Sequence, residues 1–343
     1  MTTGDDALFL ARTYLASRNN ERAVEVLMSA LRHLPNDPDL LTELARAQLR
    51  MDEPERAELS AQAALSVAPG HVQAMCVYAL ALAGLEERDA ALQVAHRAVL
   101  AAPDESRTHH TYAFVLFRAW QYEPALRAIT EAQRLEPDSA DIHFQRGLIL
   151  GKTRRWHESN AAYAEALRLE PGYASAVHNI AVNHLDSGRW RAALRGFLGA
   201  ARMDPALGTV ARRSVGAALR TPLRWTTLTS VVLCFVAAVG GTASDIDAGE
   251  RLVFRLLAAC GIVVLLTLLG WSARAAREIP GRARASVLKA QPMLVVRLVI
   301  AFGTLAVATP LTLGLRTPGL MIAAVVLLIA ALLVAVAGWK GGD

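Results

Sequence analysis

Histidine and cysteine are the side chains in this sequence best suited to metal binding or catalysis. Two groups of histidines invite a metal-site interpretation: the neighbours His109 and His110, and the pair His178 and His184. Neither has the HExxH spacing of a helical zinc site, and adjacent residues of a helix point in different directions. The cysteines also lack metal or redox spacing: Cys76, Cys234 and Cys260. The sequence has no glycine-rich phosphate loop either. We therefore expect no catalytic residue, no metal and no cofactor, and a protein that is not an enzyme.

Charge is distributed unevenly along the 343 residues. Residues 1–207 carry 22 basic and 26 acidic side chains, whereas residues 208–343 carry 14 basic and 5 acidic ones. The basic excess therefore lies in the apolar C-terminal part, where it indicates membrane topology. Nucleic-acid binding would require a basic face on the polar part, which the sequence does not show. We expect no nucleic-acid partner.

The polar part is built from a repeat of 34 residues. Proline recurs at this interval six times, at Pro35, Pro69, Pro103, Pro137, Pro171 and Pro205. Small residues keep the same period in further columns, one of which is Ala11, Ala45, Ala79, Ala113, Gly147 and Ala181. Two apolar-periodic stretches in each unit predict a pair of helices, and the small residues allow the helices to pack closely. Because one pair cannot bury its apolar face alone, the units are expected to stack into an all-α solenoid.

The period, the small residues and the terminal proline resemble those of the tetratricopeptide repeat family over residues 4–207. The resemblance is best in the fifth unit, which has family residues at Gly147, Trp156, Tyr163, Ala166 and Pro171. The family's early aromatic position is mostly filled by other residue types: Ala7, Leu41, Met75, His109, His143 and Val177. The resemblance implies that the first helix of each unit lines a concave surface that binds a protein or peptide segment.

The repeat register then gives candidate residues for that surface. The pairs are Leu8 and Arg12, Thr42 and Arg46, Cys76 and Leu80, His110 and Phe114, Phe144 and Leu148, and His178 and Val182. The predicted partner-binding residues among them are Arg12, Arg46, Leu80, His110, Phe114, Phe144, Leu148 and His178. We expect Phe114 and Phe144 to be exposed, while Leu80 and Leu148 could instead support neighbouring helices. The family's best-known variant binds a terminal carboxylate with lysine and asparagine. Lysine is absent from these positions, which favours an apolar or amphipathic partner segment.

Four apolar stretches in the last third each approach the ~20 residues that a helix needs to cross a bilayer. They cover residues 225–243, 253–272, 294–314 and 318–338. Buried helices of a soluble protein are the alternative, which four such stretches disfavour. We therefore predict a repeat solenoid at 4–207, a capping helix and basic connector at 208–222, and a four-helix transmembrane bundle at 223–339. Arg255 and Arg297 lie near span ends, where their side chains are expected to extend towards the headgroups.

Basic residues flank the predicted spans mainly on one side. Ten precede the first span, lie between the second and third spans, or follow the fourth, whereas only Arg251 and Arg316 lie in the other two connections. The positive-inside rule then places both termini and the repeat domain in the cytoplasm of a multi-pass cell-membrane protein. Since 33 of the 36 basic residues are arginine, a GC-rich bacterial genome and hence a bacterial inner membrane are expected.

These features predict a membrane-anchored, non-enzymatic scaffold that binds cytoplasmic or membrane protein segments. The alternative is a regulatory or accessory subunit of a membrane transport complex, which polar residues facing one another across the spans would favour. The lipid bilayer is the other expected partner. A homo-oligomer formed through the membrane bundle stays open as a further alternative.

Overall fold

The computed structural model describes residues 4–204, 206, 208–242, 248–278, 292–313, 315 and 317–340. These residues form sixteen α-helices and no strand. The first ten helices are α1 Gly4–Ala16, α2 Asn20–Leu31, α3 Pro38–Arg50, α4 Pro54–Val67, α5 Val72–Gly84, α6 Arg88–Ala101, α7 Ser106–Arg118, α8 Tyr122–Leu135, α9 Ala140–Lys152 and α10 Trp156–Leu169. The remaining six are α11 Ala174–Asp186, α12 Trp190–Met203, α13 Gly208–Thr242, α14 Ala248–Glu278, α15 Pro292–Thr312 and α16 Pro318–Lys340.

The first twelve helices keep the period of the sequence. The first helix of each pair begins at residue 4, 38, 72, 106, 140 or 174, and the second at residue 20, 54, 88, 122, 156 or 190. The six predicted helical pairs are therefore confirmed. Each pair turns in the same way, because a residue with positive φ follows the first helix and the next N–H donates to the carbonyl five residues back. In the fourth pair, Trp120 has φ 65° and the Gln121 N–H donates to the Leu116 carbonyl at 2.9 Å.

The chain divides into two compact units, residues 1–176 and 177–343. In the first unit, small side chains fill the positions where paired helices come closest, and Ala45, Ala57, Ala79 and Ala91 are completely buried. Burying a larger residue at these positions would push the helices apart. The alanine columns are thus explained by helix packing.

The second unit contains the sixth pair together with α13–α16, and α13 is its central helix. It contacts α12, α14, α15 and α16. The predicted capping segment and the first apolar stretch belong to this one helix. Trp190 and Phe197 of α12 form a buried cluster with Leu223 of α13 and Leu294 of α15. The sixth pair therefore shares a hydrophobic core with the helices that follow it.

Two stretches of the described residues are long and apolar enough to cross a membrane, Arg255–Arg274 and Met293–Thr312. Only 24% of the first and 33% of the second is buried, whereas a core helix of a soluble protein is mostly buried. These two stretches are consistent with membrane association. The connection at 279–291, which carries three of the basic residues used for the topology, lies outside the described residues.

The two arginines near the span ends differ from each other. Arg255 is exposed, as expected for a side chain that extends from its helix. Arg297 is only 4% exposed. Its neighbours Leu294 and Leu298 pack with the cluster around Phe197, so protein covers this turn of α15. The expected extension towards headgroups therefore does not describe Arg297.

Candidate partner-binding surface

The candidate site is the inner surface of the first unit, which we define as the predicted binding residues on α1, α3, α5, α7 and α9 together with the side chains joined to them by hydrogen bonds or ring contacts. These five helices contact one another in sequence as well as their own partner helices, so they form the inner layer of the stack. Seven of the eight predicted binding residues lie on them: Arg12, Arg46, Leu80, His110, Phe114, Phe144 and Leu148.

The N-terminal half of the inner surface is organised around a buried carboxylate. Glu43 on α3 is 3% exposed and accepts hydrogen bonds from two predicted binding residues. Arg12 Nε donates to it at 2.9 Å, and an Arg46 guanidinium nitrogen lies 2.9 and 3.1 Å from its two oxygens. Burial lowers the pKa of Arg46, while the Glu43 carboxylate opposes that effect. A carboxylate this deeply buried depends on both arginines, because an unpaired buried charge is strongly destabilising.

Polar contacts continue from this ion-pair cluster along the inner layer. Gln73 on α5 lies 3.5 Å from Arg46 through its carbonyl oxygen and donates from its amide nitrogen to Glu105 at 3.2 Å. Arg107 on α7 adds positive charge close to Arg46. Side chains of three successive inner helices, and of the residue that precedes α7, are thus connected, which holds their polar groups in place before any partner binds.

Two titratable groups follow on the same surface. Burial raises the pKa of the Cys76 thiol, so Cys76 is a protonated, unreactive thiol near neutral pH. Burial also lowers the pKa of His110, against the opposing influence of Asp141 and Glu136. His110 is therefore neutral near pH 7 and supplies a hydrogen-bonding ring rather than a charge.

The C-terminal half of the inner surface is apolar and aromatic. Leu80, Phe114 and Leu148 are half-buried. Phe144 is also half-buried, because its ring stacks on Tyr173 at 4.9 Å and contacts Tyr163 at 5.6 Å. The two phenylalanines therefore expose part of each ring rather than the whole, and Phe144 has a packing role that its position in the repeat did not indicate.

The eighth predicted residue, His178, lies in the second unit. Its ring contacts Phe197 at a centroid distance of 5.1 Å, and burial lowers its pKa. Its Nδ1 atom is buried and has no hydrogen-bond partner.

Four residues of this surface were missed in the sequence: Glu43, Gln73, Glu105 and Tyr173. A glutamate within the apolar segment around Leu41 and Leu44 was an available signal for Glu43, since charged residues are rarely buried without partners. Tyr173 lies in the connection before α11, and its hydroxyl donates to Asp141 at 2.6 Å. Nothing in the repeat register marks a connection residue as a neighbour of Phe144.

The described residues contain no group of three or more histidine, cysteine or acidic side chains that could hold a metal ion. The hydrogen-bonded groups of the inner surface present fixed donors and acceptors beside apolar rings.

Comparisons with known proteins agree with the repeat architecture. Residues 5–47 match the family model for the tetratricopeptide repeat. The Cut9–Hcn1 hetero-tetramer of the APC/C matches at a TM-score of 0.55 and 14% identity, over 62% of this chain and 42% of that chain. PilF of Pseudomonas aeruginosa matches at 0.46 and 20%, over 59% and 91% of the two chains. YrrB, described as a TPR protein with an unusual peptide-binding site, matches at 0.38 and 21%, over 53% and 94%. No curated protein is significantly similar to the chain.

Sequence identities this low show the fold alone. The matched segment, the 34-residue period and the stacked helical pairs nevertheless agree with one another. Residues 5–47 are therefore similar to a tetratricopeptide repeat, and the helical pairs that follow them keep the same 34-residue period.

Proposed function

We propose that the chain is a membrane-anchored, non-enzymatic scaffold whose repeat array binds an amphipathic protein segment along the inner surface. The fold itself suggests a protein-interaction scaffold, because stacked repeats present extended concave surfaces. The observation that carries the proposal is the division of the inner surface into a polar half, connected through Glu43, and an apolar half around Phe114.

An amphipathic segment matches both halves. One end of the segment, which is polar, can meet Arg12 and Arg46, whose guanidinium groups are already oriented by Glu43. The other end, which is apolar, can cover Leu80, Phe114 and Leu148, which remain only half-buried. Pre-oriented side chains lose less conformational entropy when a partner binds, which favours affinity.

The membrane part of the proposal rests on the exposed apolar surface of the second unit. Leu256, Val263, Val299, Phe302 and Ile322 expose more than half of their surface, which water would disfavour and lipid would accept. We propose four spans, formed by α13, α14, α15 and α16, with both termini and the repeat domain in the cytoplasm. The distribution of basic residues in the sequence supports this orientation.

Photocrosslinking in intact cells tests the binding surface. A photoreactive phenylalanine analogue replaces Phe114 in the full chain, and a matched variant carries it at Leu100, which is 68% exposed on α6 and not on an inner helix. We expect position 114 to capture discrete protein species that position 100 does not. Equal capture at both positions would contradict the assignment of the inner surface.

A transport-related role is the second candidate, favoured by polar residues between the helices of the second unit. The Cys234 thiol lies 3.7 Å from the Thr304 hydroxyl, Ser230 Oγ is buried without a hydrogen-bond partner, and Arg297 is buried. Polar groups at such positions mark transport pathways in other membrane proteins. An ion or solute flux in proteoliposomes that Thr304→Val abolishes would support this candidate over the simple anchor.

A further inference from the structure

A cavity of about 210 Å³ lies at the turn edge of the first unit, away from the inner surface. It is formed where the α5–α6 turn, the α7–α8 turn and the end of α9 come together. Its main side chains are three aromatic and three basic ones: Phe117, Trp120, Tyr122, Arg88, Arg118 and Lys152. Sites for drug-sized molecules usually measure roughly 300–1,000 Å³. This cavity therefore has room for one large side chain and not for a whole cofactor.

The charges around this turn-edge cavity are not balanced. Arg88, Arg118 and Lys152 are exposed and lie beside one carboxylate, Glu86. Among the described residues none of the three cations has an ion-pair partner.

Exposed arginines elsewhere in the array differ in this respect. Several form ion pairs with a glutamate three residues away: Arg22 with Glu25, Arg134 with Glu131, Arg155 with Glu158 and Arg168 with Glu165. Others, such as Arg97 and Arg127, have no ion pair among the described residues. The cavity differs from these isolated side chains because three unpaired cations line one recess, and their combined positive charge attracts an acidic ligand.

Trp120 adds an apolar group at a position where one is unexpected. It occupies the positive-φ position of its turn, which the other pairs fill with Arg18, Asp52, Glu86, Arg154 and Gly188. A left-handed backbone disfavours every residue except glycine, with asparagine and aspartate tolerated best. Trp120 is also 67% exposed. Neither turn geometry nor burial explains a tryptophan here.

Arg118 and Lys152 do have a structural explanation, since each lies in the last turn of its helix, where a cation stabilises the helix dipole. Stabilisation of the helix dipole does not explain why these two cations line the same aromatic cavity as Arg88 and Trp120. Phe117 and Tyr122 already contact each other at 5.9 Å, so the indole of Trp120 and this ring pair form an apolar recess with a basic rim.

We propose that this turn-edge cavity binds an acidic peptide segment of a partner protein. One large apolar side chain of the segment inserts beside Trp120, Phe117 and Tyr122, and flanking carboxylates pair with Arg88, Arg118 and Lys152. Charge complementarity identifies the segment as acidic, and the cavity volume limits the anchor to a single side chain. This site is separate from the inner surface, so its existence does not depend on the function proposed above.

Peptide binding to the full chain in neutral phosphatidylcholine nanodiscs tests the proposal. The probe is acetyl-Glu-Glu-Phe-Glu-Glu-amide with a fluorescent label on a polar linker, and its anisotropy is measured at low salt. Versions with serine in place of glutamate, or alanine in place of phenylalanine, should bind at least tenfold more weakly. Added salt should weaken binding, because the rim charges are exposed.

Trp120→Gly is the main variant. It should lower affinity about thirtyfold, as loss of an interface anchor does, without lowering the melting temperature, because glycine suits the positive φ. Arg154→Gly is the matched control, because Arg154 occupies the same positive-φ turn position in the next helical pair. This variant should leave the affinity for the peptide unchanged. Phe114→Ala, on the inner surface, should also leave it unchanged.

A charge reversal makes the test independent of folding. Arg118→Glu with Lys152→Glu should lose the acidic peptide and gain acetyl-Lys-Lys-Phe-Lys-Lys-amide. Equal binding of acidic and serine peptides, or unchanged binding by Trp120→Gly, would overturn the proposal. The proposal would also be overturned if the peptide does not bind and the protein instead binds anionic phosphatidylserine vesicles in a way that depends on Trp120. The ligand would then be a lipid.

Discussion

Replacing Gly147 with alanine should destabilise the first unit through a single buried contact. Gly147 lies on α9 in the column that holds alanine in the other repeats. A methyl group at this position would lie 2.5, 2.6 and 2.9 Å from three ring atoms of Tyr163. The ring cannot easily yield, because Tyr163 is 2% exposed and Phe144 contacts it at 5.6 Å. The helices also cannot separate freely, since Ser159 Oγ donates to the Gly147 carbonyl at 2.7 Å.

The size of the stability loss in Gly147→Ala follows from two opposing effects. Overpacking a well-filled core costs typically about 1–3 kcal/mol, and contacts this short with three adjacent atoms of a buried ring place Gly147→Ala at about 3 kcal/mol. Alanine gains about 1 kcal/mol over glycine in a helix interior. The net loss is then about 2 kcal/mol, which lowers the melting temperature by roughly 4–8 °C for a unit of this size.

Urea unfolding followed by circular dichroism measures the loss. The control is Gly199→Ala on α12, where the nearest atom to an added methyl group is 3.9 Å away. That variant should gain stability from helix propensity alone. A second variant, Gly147→Ala with Tyr163→Leu, should recover part of the loss, because the leucine removes the ring. If Gly147→Ala is as stable as the unchanged chain, the tight contact does not exist and the explanation of this column is wrong.

Three further predictions concern topology, acid sensitivity and the sixth pair. Protease added to intact spheroplasts should spare residues 1–220 and cut them only after lysis; cleavage from outside would reverse the orientation. Because burial lowers the pKa of His110 from 6.5, the folded protein binds this proton less well than the unfolded chain, and stability is lost as pH falls below that value. As pH is lowered past 6.5, the melting temperature should fall less for His110→Gln than for the unchanged protein. An equal fall would contradict the link between protonation of His110 and stability. Leu294→Ala should destabilise the sixth pair by about 2–5 kcal/mol, because Leu294 is 1% exposed against Trp190 and Phe197; unchanged melting of the full chain would show that this cluster does not support the pair.

Repeat spacing predicted the array well because packing recurs with the same period. The residue facing the small-residue column across each pair is Leu27, Ala61, Ala95, Ile129, Tyr163 or Phe197. Tyr163 is the largest of these six residues, and it faces Gly147, the only glycine of the small-residue column. Size complementarity of this kind is visible in sequence once the period is known.

Contacts that depend on more than the period were not predictable in the same way. The burial of Glu43 requires Arg12 from the preceding repeat and Arg46 from its own helix to converge on one carboxylate. The position of Phe144 depends on Tyr173, which lies in a connection. The position of a residue in the repeat predicts which face of its helix it lies on. It does not show which long side chains contact one another across that face.

The continuity of α13 shows a second limit of prediction from sequence. The change from basic to apolar composition near Trp225 suggested a boundary between a connector and a span, but it is a boundary in chemistry and not in the backbone, since α13 runs from Gly208 to Thr242. The last pair of a repeat array needs a cover for its outer face. Here Val215 and Leu223 of α13, with Leu294 of α15, cover Trp190 and Phe197. The helices that would enter the bilayer are therefore the same ones that close the sixth pair. In that arrangement a change in the packing of α13 or α15 would reach the sixth pair through direct contacts, without a flexible linker to absorb it.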